Sequence, residues 1–533
     1  METVIEISSR QKYRTLFWLL LSGLTLLHLV SAGMLGLGVD ESHYVLYSRH
    51  LSWGYFDHPP MVAFLAGLTT LLGKGVFFIR LGPIVCSVFT LIILRHLALE
   101  LYGEEKVAFW ALVLISLMPY QHLLMVALLP DATLNLFWCG TLLAAWKAMK
   151  NGKWRTWILT GLLLGGALLS KYQALLLPFF LLCYLLTSRH NRFWLRRIQT
   201  YIAGVIGVAM FLPNIIWNAH HRWISYTYQL FNGTGKRLRP LNLLTFIGAQ
   251  LVVWSPLIFG LLIAASIVLV RKRKVSDSER YSFWMSIPVF AFFFIFSLFG
   301  KFLPHWPAVG WWTGSLVVTA TILGKVSPGN KESARWRCWS FAAAVTGFII
   351  TCLLVTSLFS PLVAPLYSNS RNISLKLSKK FPSIKPLGPF KTKYDPSNDL
   401  YGWKEIAIRV EKLRAMMPHP DKTFVFCHKF YMTSQLAVYL PSTTVATSLQ
   451  HRFNQYRLWF PAADYAGWDA VFVVDREKNH QLSLQYASLF QKMDPEPLEI
   501  KVFRKRWPAH DLKIYRYYGF KGKFMEPPEI PEK

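Results

Sequence analysis

Acidic residues are scarce: 28 Asp and Glu stand against 58 Lys and Arg, and charged residues of both signs make up only 16% of the 533-residue chain. So little charge beside 53% hydrophobic residues excludes a single soluble domain, which needs more polar cover than this. Cysteine is sparse too. Cys86, Cys139, Cys183, Cys338 and Cys352 lie in apolar segments and Cys427 stands alone toward the C-terminus, which excludes a disulfide framework and makes the thiols packing residues. The first apolar run follows Arg10, Lys12 and Arg14 without a small-residue cleavage site, so it reads as an uncleaved signal anchor. No repeat of 20–50 residues is present, which excludes a solenoid.

What is present is a series of apolar stretches down to about residue 360, each long enough to cross roughly 30 Å of hydrocarbon as a helix. The surplus of positive charge does not point to nucleic acid, whose binders gather Lys and Arg on one folded face. Here the cations flank the apolar runs, as in Arg192 with Arg196 and Arg197, or Arg271 through Lys274, which is the pattern of cytoplasmic loops. With the basic flanks inside, the N-terminus is cytoplasmic and a loop over residues 38–75 faces outward. The apolar stretch from Trp157 to Thr187 breaks at Ser170 and Lys171. Reading it as two short helices keeps Arg189 through Arg197 on the basic side.

The expected fold is a polytopic α-helical membrane domain of about eleven spans over residues 1–360. A Pro-, Ser- and Lys-rich linker follows over 361–400, and residues 401–533 form an outward soluble α/β domain. The alternating apolar segments near 423–426, 470–474, 500–503 and 512–515, set between helical stretches, carry that last expectation.

The outward loop contains Asp40, Glu41 and His43, then Asp57 and His58. A carboxylate at a hydrocarbon boundary is costly to ionise and suits a general base or a metal ligand. A wet loop with helix-capping acids explains the pair equally well. Asp131, after Pro130, either caps a helix or faces a cavity. Lys171, between two apolar helices, either lines a cavity for an anion or snorkels to the interface. His220, His221, Arg222, Lys236, Arg237, Arg239, Lys301 and His305 fall in outward loops and are candidate phosphate ligands or simple interfacial anchors. No HxxxH or HxxE spacing marks the histidines as metal ligands.

Several segments in order, Asp40 to Tyr44, Tyr55 to Pro60, Leu129-Pro130-Asp131, Leu169-Ser170-Lys171 and Gly300 to Pro307, resemble bacterial membrane glycosyltransferases of the GT-C superfamily. These are the enzymes related to protein O-mannosyltransferases and to lipid A aminoarabinose transferase. The resemblance implies juxtamembrane helices, a soluble C-terminal domain and a polyprenyl-phosphate-sugar donor, with Asp40 as the catalytic carboxylate. In the aminoarabinose branch, Asp57 and His58 correspond to Glu and Lys, the Glu near a metal and the Lys near the donor phosphate.

The expected function is therefore inverting transfer of a sugar from an undecaprenyl phosphate type donor to an envelope acceptor such as lipid A or another glycolipid, in a bacterial inner membrane. Asp40 would be catalytic, with Glu41, His58, Asp131, Lys171, Arg237, Lys301 and His305 binding substrate. Asp57 and His221 would serve a divalent ion if one is used. Competing readings are transfer to protein hydroxyls, a transporter or flippase for a lipid-linked anion, and a non-catalytic assembly or receptor subunit.

Overall fold

A computed structural model describes residues 2–233, 238–300, 302–324, 330–381, 385–476 and 479–525. The chain divides into two compact units, residues 1–33 with 51–354 and residues 34–50 with 355–533.

The first unit is helical. Its long helices include Glu2–Ala32, Val76–Tyr102, Pro130–Asn151, Trp154–Ser170 and Ile198–His220. Helix 130–151 packs on both 76–102 and 154–170, and the last also packs on 198–220. Small residues let these helices approach. A Cβ at Gly161 would stand 2.6 Å from the Ala203 carbonyl oxygen, so helices 154–170 and 198–220 meet backbone to backbone, as membrane helices do where lipid offers no hydrophobic drive. Trp138, Leu164, Ala167, Phe180 and Phe211 fill the core between them.

Two apolar runs are sharply bent. Glu105–Ser116 and Pro119–Val126 meet at 91°, and Leu241–Trp254 and Pro256–Arg271 at 111°. In each pair the second helix starts on a proline, whose missing N–H costs nothing in a first turn. Among the described residues four helices are long and apolar enough to cross a membrane, or up to six if each bent pair is one span. That criterion does not yield the eleven spans expected, because many apolar runs are divided into helices of 8–17 residues. The break expected at Lys171 is present, between Trp154–Ser170 and a 3-10 turn, Tyr172–Leu175, that leads into Leu176–Thr187.

The loop over 38–75, expected to face outward, contains two helices: Val39–Arg49 belongs to the second unit and Met61–Thr70 to the first. The expected boundary at residue 360 therefore differs from the one found, since the second unit recruits residues 34–50. Residues 361–400 are not an extended linker throughout. They begin with the helix Val363–Lys380, where Pro365 falls in the first turn and breaks no internal hydrogen bond.

The second unit is the expected α/β domain. Its strands are β1 (Thr423–Cys427), β2 (Ala446–Ser448), β3 (Asp469–Asp475), β4 (Phe490–Met493), β5 (Leu498–Arg504) and β6 (Trp507–Phe520). The order is β2-β1-β3-β6-β4, with β5 paired to β6 as well. β1 is parallel to β2 and β3, and β6 runs antiparallel to β3, β4 and β5. Alternate residues of β1 and β3 point to opposite faces, and both faces are covered. Val425, Cys427, Val471 and Val473 pack against Trp403, Ile406, Met432 and Leu436 from the helices Trp403–Ala415 and Phe430–Tyr439. Phe424, Phe426, Ala470 and Phe472 pack against Tyr486, Phe490 and Tyr517. This explains why β1 and β3 read as continuous apolar runs.

Candidate active site

In the first unit, a buried ion pair joins two of the expected site residues. Lys171 Nζ donates to both carboxylate oxygens of Asp131, at 2.9 and 2.8 Å. Asp131 lies in the first turn of helix 130–151, and Lys171 is the residue at which helix 154–170 stops. Snorkelling is set aside, because Lys171 is buried, while Asp131 keeps a first-turn position that the helix dipole favours. Electrostatic coupling to the Asp131 carboxylate extends to His305 and His58, while burial holds the His305 imidazole neutral near pH 7. His305 stacks on Tyr120, and its Nδ1 is 3.2 Å from the Tyr120 hydroxyl. His58 Nδ1 is 3.3 Å from Asp57 Oδ2.

The segment from Trp53 to His58 is held by side chains absent from the sequence-based expectation. Asn214 Nδ2 donates to the Trp53 carbonyl at 2.8 Å, Ser225 Oγ to the Tyr55 carbonyl at 2.6 Å, and Gln229 Nε2 to the Asp57 carbonyl. Asn218 Oδ1 in turn accepts from the Ser225 N–H at 3.2 Å. Buried amides in an apolar helix are the one signal that marked them, because a buried polar group needs a partner.

The metal expectation finds no support in this geometry. His221 stacks on Trp217 at 3.9 Å and its Nδ1 pairs with the Trp217 carbonyl at 2.7 Å, while Asp57 pairs with His58. Among the described residues no group of three His, Cys, Asp or Glu side chains converges on a point that could hold an ion. Arg237 and Lys301 lie outside the described residues.

In the second unit, Asp40 is exposed in the first turn of helix 39–49, where the helix dipole favours a carboxylate. Glu41, expected to bind substrate, has one carboxylate oxygen engaged at the helix start. It is buried, and its Oε2 accepts the Gly38 N–H at 2.8 Å, which caps the helix start.

The rest of that helix is bound to helix 430–439. Ser42 Oγ donates to Gln435 Oε1 at 2.9 Å, and Gln435 Nε2 donates to the carbonyls of Leu37 at 2.8 Å and Asp399 at 3.2 Å. His43 bridges Ser434 Oγ and the Tyr47 hydroxyl, both at 3.0 Å. The Gly36 N–H donates to the Leu400 carbonyl at 3.2 Å, and a Cβ at Gly36 would lie 2.4 Å from that oxygen. Asp399, beside this contact, has its carboxyl pushed up to about 6, first by burial and then by the carboxylates of Asp475 and Asp40, with Lys429 opposing.

Residues 57–217 match the family model described as dolichyl-phosphate-mannose-protein mannosyltransferase. The chain is 26% identical over 300 residues to the lipid A galacturonosyltransferase RgtD of Rhizobium johnstonii, a match covering 55% of this chain and 62% of that protein. The chain thus spans less than two thirds of that relative's length. Among solved structures, ArnT from Cupriavidus metallidurans in the apo state aligns with a TM-score of 0.63 at 14% identity, over 94% of this chain and 98% of that one. The same protein bound to undecaprenyl phosphate aligns at 0.60 and 14% identity, over 93% and 97%.

Proposed function

We propose that this chain, a multi-pass membrane protein with the fold of the GT-C glycosyltransferases, is an inverting enzyme that moves a sugar from a polyprenyl phosphate donor to lipid A or a similar glycolipid. The observation that carries the reading is the family match over residues 57–217. That stretch spans Asp57, His58, Asp131 and Lys171, which lie in one unit with the last two joined by a buried ion pair. The lipid A relative favours lipid A as acceptor. The complex of ArnT with undecaprenyl phosphate favours a polyprenyl phosphate carrier.

In this reading Asp40 takes the proton of an acceptor hydroxyl as its oxygen attacks the anomeric carbon. The bond from that carbon to the phosphate oxygen breaks on the opposite face, and the electron pair leaves with the polyprenyl phosphate. Charge grows on that leaving group, so cations fixed around it lower the barrier. Lys171 has three N–H donors and gives two to Asp131, leaving the third to point at a phosphate oxygen. His58 and His305 are proposed as further donors to the phosphate, His305 as a neutral imidazole, and Arg237 and Lys301 as the further cations. The enzyme would sit in a bacterial inner membrane with its N-terminus cytoplasmic and residues 401–533 periplasmic.

The test is sugar transfer from a synthetic polyprenyl phosphate donor by purified Asp40→Asn protein. Turnover is expected to fall by about a hundredfold or more, as when a general base is removed, and near wild-type turnover removes Asp40 from the chemistry. The family description favours a second acceptor, a protein hydroxyl. Mass spectrometry of lipid A and of envelope glycoproteins from a strain lacking the gene separates the two by which molecule loses a sugar.

A further inference from the structure

The helix Val363–Lys380 carries a surface that the catalytic reading does not use. Leu366, Ile373 and Leu377 are 65%, 59% and 42% exposed, and at 100° per residue they fall within roughly 40° of one another around the helix axis. One flank of the stripe is occupied: Ser374 Oγ accepts the Leu387 N–H at 3.0 Å, and Tyr367 packs on Phe390 and Tyr394. An apolar stripe of this size on a helix rich in Ser and Lys does not stay in water without a partner.

Charge names the partner. Between Glu332 and Asp395 there is no acidic residue, while Arg371, Lys376, Lys379, Lys380, Lys385, Lys391 and Lys393 fall within that interval. Lys376 and Lys379 are exposed on the helix and Lys385 follows it.

Chain continuity gives the location. The candidate span Arg335–Phe359 is 11% buried within the protein, so its surface is left to lipid. The basic helix begins at Val363, and the intervening residues reach at most about 14 Å even if fully extended. They do not extend, because Ser360 N–H donates to Thr356 O and Leu362 N–H to Ser360 O, each at 2.8 Å. The helix therefore starts within the headgroup layer of the leaflet where the span ends.

We infer that the helix Val363–Lys380 forms an interfacial anchor that sinks Leu366, Ile373 and Leu377 into the acyl boundary and that Lys376, Lys379 and Lys385 bind anionic phospholipid headgroups. The inference rests on the membrane-spanning fold and not on the reaction assigned to Asp40.

The full-length chain, with Cys183, Cys338 and Cys352 replaced by Ala, is spin-labelled at Ile373→Cys or Asn372→Cys in nanodiscs of phosphatidylcholine with phosphatidylglycerol. The label at 373 is expected to collide with oxygen and be shielded from a water-soluble nickel chelate, and the label at 372 to show the reverse. Nickel access at 373 overturns the anchor, and a short distance between labels on two molecules overturns it in favour of a second copy. Phosphatidylglycerol retained through purification is then compared between wild type and the triple variant Lys376→Gln, Lys379→Gln, Lys385→Gln. Retention should fall by about fivefold per charge at low salt, while the triple Arg variant keeps it. Equal retention in the Gln variant overturns the headgroup assignment.

Discussion

Lys171 and Asp131 illustrate how little freedom a buried charge has. The Lys171 side chain is 11% exposed and that of Asp131 is 3%, so neither is stable ionised without the other. Lys171→Met strands a carboxylate and should cost about 3–5 kcal/mol, while the double variant Lys171→Met, Asp131→Leu should recover most of it. Thermal unfolding of the detergent-solubilised protein reads both, and sugar transfer should remain abolished in each variant, which separates the stabilising role of the pair from the catalytic one. The sequence marked both residues as candidates but not as partners, because they are 40 positions apart and nothing in either local pattern refers to the other. Asp399 offers a different lesson. Its carboxyl is raised to about 6 by burial first and neighbouring carboxylates second, above the value near 3.9 of an unfolded Asp. The folded state then prefers the neutral form, so stability is greatest below about pH 4 and falls as pH rises toward 6. Asp399→Asn is expected to raise the unfolding temperature at pH 7.5, a gain of about 1–2 kcal/mol, and the difference from wild type should vanish near pH 4.

Helix 39–49 shows why an element can be missed while a residue on it is singled out. Its buried face is built from Ser42, His43 and Tyr47, bonded to Ser434 and Gln435, so polar pairs take the place of the apolar periodicity by which a helix is recognised. Asp40 was visible from its residue type and setting, and the scaffold that holds it was not. Gln435 ties the entry of this helix to helix 430–439, which makes it a positioning residue for Asp40. Gln435→Leu should lower kcat by about tenfold to a hundredfold through misplacement, with the KM for donor unchanged. In an Asp40→Asn background the same substitution should change nothing further, since there is then no base to misplace. A further loss in that background would show that Gln435 acts on the fold in general. The helix 363–380 was hidden for the opposite reason: its Pro, Ser and Lys content resembles a linker, although Pro365 sits where a helix tolerates it.

For the molecule as a whole, the expected class was legible because bilayer thickness imposes apolar length on a sequence, and both the helical unit and the α/β unit are found. The bends within spans were not, since half-length helices meeting at 91° and 111° look like single runs when only composition is read. The unit boundary was hidden too, because it depends on residues 34–50 joining a domain that begins more than 300 positions later. That joining also has a consequence in time. Ser42 and Gln435 lie 393 residues apart, so at a synthesis rate of 5–20 residues per second the helix bearing Asp40 waits roughly 20–80 s after emerging for its partner to be made. Throughout that interval Ser42 and His43 Nδ1 lack the partners that Gln435 and Ser434 later supply, and a ribosome that stops short of residue 435 releases a chain whose membrane helices can assemble while Asp40 stays unplaced. A segment translated 393 residues later thus decides whether the helix bearing Asp40 is ever finished.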